Sequence, residues 1–318
     1  MKDLQNEESF VAQLQLQDLR QAWEARDPDL VRLIETLASQ EDPIPEEPIR
    51  QEAYTFDRFI AEIQSKSFRK KPEEEQMHLR QEKMKMLEAP NAEVPLSDRL
   101  RLHEILFLLW EDKSLFARQM LLKVIAKIPL VYGPWRALKK IFKEAEERND
   151  TEIYGALAAR FDMACSRPFE VKISRMTLGY LVRRAWRYLR RLATQLPVAY
   201  PDVVCDFLCR YTNETNWPRT WIACHIFYHG TGSYSRSGFS FWRVPDDILK
   251  NRAYPELWKR TPRPLFALLE RAKSEQVRHF ATTALKTDFR ASLREVEPSW
   301  VARLVSGESR AIDDFVIW

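Results

Sequence analysis

Five arginines crowd one apparent helix, Thr177 to Leu192, written TLGYLVRRAWRYLRRL. With Leu178 at the origin and about 100° per residue, Leu181, Val182, Ala185, Leu189 and Leu192 fall within about 60° of it. Arg183, Arg184, Arg187, Arg190 and Arg191 fall between about 120° and 240°. One face is apolar and the other is almost solid guanidinium. No acidic residue occurs between Glu170 and Asp202, so nothing nearby in sequence neutralises that face. Like charges one turn apart repel by a few tenths of a kcal/mol per pair. The offset must come from carboxylates on neighbouring helices, with Glu144, Glu146, Glu147 and Glu152 as candidates, or from an anionic ligand. Guanidinium binds phosphate bidentately and tolerates partial burial better than ammonium. Tyr180 and Tyr188 flank the arginines and Trp186 sits on the apolar side, which suits a surface that tracks phosphates. Arg183, Arg187 and Arg190 lie outermost.

A second constellation is Cys205, Cys209, His225 and His229, spaced C-x3-C and H-x3-H. Each pair would present two side chains from consecutive turns of one helix, and a zinc site across a helical hairpin could form from them. The alternative is core packing, because Cys205 and Cys209 sit among Val204, Phe207 and Leu208, and free cysteines are commonly buried. No third group that would activate a Cys/His pair for catalysis is evident.

A third is the stretch Gly230 to Trp242, GTGSYSRSGFSFW, which holds three of the chain's seven glycines. Tyr234, Arg236, Trp242 and the adjacent Arg243 are candidate ligand contacts, since aromatics interleaved with arginine can stack bases beside phosphates. The plainer expectation is a short β-hairpin, or a wrap packing its rings on the helices.

These groups need positioning elements, and the composition says which. The chain has 318 residues, 45% of them apolar, with 7 glycines and 18 prolines. Such a balance favours helices joined by short turns over a sandwich or a doubly wound sheet. There is no GxGxxG, GxxxxGK[ST], GxSxG or HExxH pattern. Residues 1–50 hold 12 acids and 5 bases, net −7, and residues 101–318 hold 24 acids and 36 bases, net +12. An acidic N-terminal region and a basic body follow. No apolar run reaches the roughly 18 residues of a membrane span, and the four cysteines form no disulfide framework. A cytoplasmic protein with no membrane association and no cofactor is expected.

Helices are expected at roughly 99–111, 114–128, 134–148, 150–164, 175–194, 200–211, 217–229, 245–251, 263–272, 274–288 and 298–305, with a last one from about 309. Residues 9–39 and 52–66 also carry helical periodicity, and the charged stretch 69–93 is a helix or a connection. A faint repeat links them. Ala267 to Phe280, ALLERAKSEQVRHF, aligns with Ala302 to Phe315, ARLVSGESRAIDDF, at an offset of 35. Phe107 to Met120 and the region around Leu138 to Leu157 follow the same pattern, with Ser114, Asp150, Ser274 and Ser309 as the capping residues. The chain's final FVIW has no polar closing face, so either the last helix tucks inward or the natural chain is longer, and truncation is the expectation.

This repeat of helical hairpins resembles the HEAT and armadillo class of α-solenoids over residues 99–318. The composition and this resemblance together give an expected all-α fold, and the charge and proline pattern of residues 1–98 marks them as an acidic N-terminal helical region with Pro-rich and charged connections. With the basic surface centred on 177–192 and 230–243, the expected function is a non-catalytic scaffold or recognition module that binds an anionic partner, either nucleic acid or an acidic protein segment. Two alternatives stand beside it: a protein–protein interaction subunit of a larger assembly, and a nucleic-acid-processing enzyme of the HEAT-like DNA glycosylase type.

Overall fold

The computed structural model describes residues 13–40, 56–88, 97–167, 173–235, 238–240, 247–305 and 309–318. The fold is all-α. The strands among the described residues are two of two residues each, β1 (Tyr234–Ser235) and β2 (Gly238–Phe239), paired antiparallel. No helix of the described residues is long and apolar enough to cross a membrane. The chain divides into two compact units, one of residues 1–120 with 132–137 and one of residues 121–131 with 138–318.

In the first unit, α1 (Leu16–Glu24) and α2 (Leu30–Ser39) pack through Leu16, Leu19, Leu30, Ile34 and Leu37, all buried. Arg26 turns the chain between them with φ at 56°, a left-handed conformation, and its guanidinium is fixed to Asp112 at 2.9 Å. The helices α3 (Phe56–Gln64), α4 (Lys66–Arg69), α5 (Glu73–Glu88), α6 (Asp98–Arg101) and α7 (His103–Glu111) follow. The charged run after residue 69 is therefore mainly helix, tied to α3 by Lys83 and Glu62. The helices α8 (Leu115–Lys127) and α9 (Tyr132–Glu147) contribute residues to both units.

The second unit is built on α10 (Thr151–Ser166), which is buried nearly all round, as its alanine-rich sequence allows. It packs against α11 (Arg175–Gln195) and α12 (Tyr200–Leu208). Gly155 makes the α12 contact close: a Cβ there would lie 3.0 Å from the carbonyl carbon and oxygen of Asp206. Then come α13 (Ile222–Tyr228), the hairpin β1–β2, α14 (Ile248–Asn251), α15 (Pro255–Trp258), α16 (Arg263–Arg271), α17 (Glu275–Asp288), α18 (Pro298–Leu304) and α19 (Arg310–Ile317). In the unit's core, Phe207, Phe227, Trp258 and Phe280 are fully buried. Arg252 is buried too and is held by Asp288 at 2.7 Å. The last helix packs on α17 through Ile312 and Phe315, and Trp318 lies 5.2 Å from the Lys286 ammonium and 5.3 Å from the Arg290 guanidinium.

Three of the four expected caps hold. Ser114 Oγ, Asp150 Oδ1 and Ser309 Oγ accept from the amides of Ala117, Ile153 and Ile312 at 3.2, 3.2 and 3.3 Å. Ser274 does not cap α17. Its hydroxyl is buried with no partner, and the Glu275 amide donates instead to Asn213 Oδ1 at 2.7 Å.

Candidate anion-binding surface

Ser174 Oγ accepts from the Thr177 amide and starts α11. The helix then buries Leu178, Leu181, Val182, Ala185, Trp186, Tyr188, Leu189, Leu192 and Ala193. The apolar side expected from the sequence is the buried side, and the arginines face outward. They are not equivalent. Arg184 Nε donates to Glu146 Oε2 at 2.6 Å, and Arg191 donates to Glu146 Oε1 at 3.1 Å. That carboxylate has a side chain only 11% exposed, and it also accepts from the Tyr154 hydroxyl at 3.3 Å. The hydrogen bond from Arg184 to Glu146 raises the guanidinium's already high pKa. Of the other expected counter-charges, Glu144 lies 3.6 Å from Lys140 and 3.4 Å from Arg148 on its own helix, and Glu152 takes Arg210 at 3.2 Å.

Arg187 and Arg190 are exposed and have no carboxylate partner among the described residues. The Arg187 guanidinium lies 5.7 Å from the Tyr180 ring centroid. The exposed Arg183 lies 5.8 Å from the Trp221 ring. One edge of the face is thus tied to Glu146, and the other runs out over aromatic rings.

Those rings form a cluster around a histidine pair. His225 lies flat on Trp186, with centroids 4.6 Å apart and planes 2° apart. His225 Nδ1 and His229 Nδ1 share a hydrogen bond of 3.0 Å. Tyr234 stacks on His229 at 5.2 Å and 20°, and Phe239 approaches His225 at 4.7 Å. The hairpin is therefore the plainer of the two forms expected for this stretch, packing its rings on α13. Tyr234 is still 38% exposed. Arg236, Trp242 and Arg243 lie outside the described residues.

Burial pushes the His225 imidazole down to about 3, and His229 and Arg190 add to it. A histidine in the unfolded chain titrates near pH ~6.5. Below that pH the unfolded state binds the extra proton. The stability that depends on a neutral His225 is therefore complete above pH ~6.5 and is lost as pH falls toward about 3. Relative to the unsubstituted protein, His225→Phe should gain about 2 kcal/mol between pH ~6.5 and ~5. Urea unfolding of both proteins at the two pH values checks this, and an unchanged difference would refute a neutral, buried imidazole.

The structure does not bring the candidate zinc ligands together. The Cys205 thiol donates to the Pro264 carbonyl at 3.2 Å and the Cys209 thiol to the Asp206 carbonyl at 3.5 Å, while the two imidazoles lie against Trp186. Burial pushes both thiols up, which keeps them protonated. Among the described residues no three His, Cys, Asp or Glu side chains are placed to hold a metal. The cysteines pack in the core because α12 turns them inward.

One residue that fixes this surface escaped the sequence reading. Asp162, in the middle of α10, is fully buried. Its carboxylate accepts from the backbone amides of Trp221, Ile222 and Ala223 at 2.6, 2.9 and 3.2 Å, and from the Tyr211 hydroxyl at 2.8 Å. It caps α13 from another helix. Burial raises its pKa to about 6, against these four donors, which pull it down. The available signal was a lone carboxylate inside the mainly apolar run Ala156 to Cys165, where Arg160 is the other charge.

No family model, curated protein or solved structure matches the chain. Its function must be argued from this surface alone.

Proposed function

We propose that the chain is a non-catalytic recognition module, a HEAT-like stack of helical hairpins from about residue 99 onward, whose α11 face binds nucleic acid. The observation that carries the reading is the state of Arg187 and Arg190. They are exposed, lie three residues apart on one helix, and have no carboxylate partner among the described residues. Holding uncompensated guanidinium groups so close costs stability, and a phosphate backbone removes that cost while releasing counterions. Glu146, already seated between Arg184 and Arg191, favours a second reading in which an acidic protein segment takes the remaining arginines.

Fluorescence anisotropy with labelled oligonucleotides at several salt concentrations tests the proposal. Three neutralised phosphates give log K a slope of roughly −2 against log salt on a single strand. Absence of binding at ~50 mM salt would overturn it, and a labelled polyglutamate peptide titrated in parallel would then decide for the acidic segment.

A further inference from the structure

The position of α11 restricts which form of nucleic acid the surface can use. This step rests on the proposed function above. A recognition helix that reads a duplex enters a major groove about 12 Å wide and must stand clear of its own domain. Here the helix buries nine of its residues and packs against α10, α12 and α13. Only the arginine face is outward, so a duplex could be met by its phosphates alone.

The rings beside the arginines offer more than that. Tyr180 is 47% exposed, with the Arg187 guanidinium over one face of its ring and the other face left for a base. Tyr234 is held by its stack on His229, which in turn lies 5.4 Å from Trp186 of α11. Tyr180 is therefore pre-positioned next to an arginine that has no carboxylate partner among the described residues, and Tyr234 is fixed on the ring cluster that meets the same helix. Aromatic faces between cationic groups bind bases by stacking, and only unpaired bases have faces to give. We infer that the ligand of this surface is single-stranded nucleic acid, with bases stacked on Tyr180 and Tyr234 and the adjoining phosphates held by Arg187 and Arg190.

The test uses the full chain with labelled oligo-dT, oligo-rU and a duplex hairpin of matched charge, at two salt concentrations. Tyr180→Leu, Tyr234→Leu and the corresponding phenylalanine variants are compared. Single strands should bind at least about 10-fold tighter than the duplex. Each leucine variant should weaken single-strand binding by about 5- to 100-fold while leaving the salt slope and the duplex affinity unchanged. The phenylalanine variants, which keep the ring, should bind as the unsubstituted protein does. Tyr180 lies on the exposed side of its helix, so its variant reports on stacking even if Tyr234→Leu loosens the hairpin. Oligo-dT against oligo-rU separates DNA from RNA, which stack alike. Equal or tighter duplex binding, or leucine variants that bind normally, would overturn the inference. In that event, loss of binding in Arg187→Glu/Arg190→Glu would leave the basic-surface reading standing. No binding by any oligonucleotide would overturn both.

Discussion

Glutamate at positions 183, 187 and 190 together is expected to reduce oligonucleotide affinity by about 1,000-fold or more at ~0.1 M salt. A hydrogen bond to a charged group contributes about 1.5–3 kcal/mol, and every 1.4 kcal/mol is a factor of ten. Three such contacts replaced by repulsive carboxylates exceed that threshold even at the low end. The salt slope should flatten by about 2, one phosphate per arginine on a single strand. The three side chains are exposed, so the fold should survive, and thermal unfolding can verify that. Arg184 and Arg191 are the wrong residues for this experiment. Reversing them would set glutamate against the half-buried Glu146 and confuse lost binding with lost stability. A triple variant that folds and binds within about 3-fold of the unsubstituted protein would place the ligand elsewhere.

The largest expected effect on stability is at Asp162. Asp162→Ala leaves three amides in the first turn of α13 and the buried Tyr211 hydroxyl without an acceptor. Orphaned buried donors cost about 1–3 kcal/mol each before relaxation. Water entering the cavity would recover part of that, giving a net loss of about 3–5 kcal/mol, near the top of the range for single substitutions. Asp162→Asn keeps one acceptor oxygen but turns an NH2 toward the remaining donors, so it should fall between. Urea unfolding at pH ~7.5, where the carboxylate is ionised, measures both variants. A loss under about 1 kcal/mol would mean that α13 does not depend on this cap.

Much of this was legible beforehand. The spans expected from residue 99 onward overlap α6 to α14 and α16 to α19, mostly to within a few residues, because capping residues and a clear apolar period mark most of their ends. The expected 99–111 is split into α6 and α7, however, and the expected 217–229 starts five residues before α13. The short α15 was missed, since four residues hold too little periodicity to be seen. Glu146 stood among the four expected counter-charges, and the structure selects it because it alone reaches both Arg184 and Arg191. The i, i+4 spacing of His225 and His229 placed them on one face of one helix. It could not reveal that the face meets Trp186, a contact between residues 39 positions apart. The carboxylate of Asp162 stood out in its apolar run, but its capping role was illegible for the same reason, since its partners lie 49 to 61 residues away. Local pattern fixes what a helix can present, and only the tertiary arrangement decides what it is presented to.

The bridge of Glu146 between two arginines bears on the timing of encounter as well as on the resting structure. Held at that edge, Arg184 and Arg191 keep their long side chains ordered, but one of their two charges is cancelled before any polyanion arrives. Long-range attraction scales with the net charge that the approaching molecule senses, and it governs the association rate more than the lifetime of the complex. Under the proposed function, Glu146 would therefore act as a brake on capture. It would lower the field over the whole face while leaving Arg187 and Arg190 to set how long a strand bound as proposed would stay.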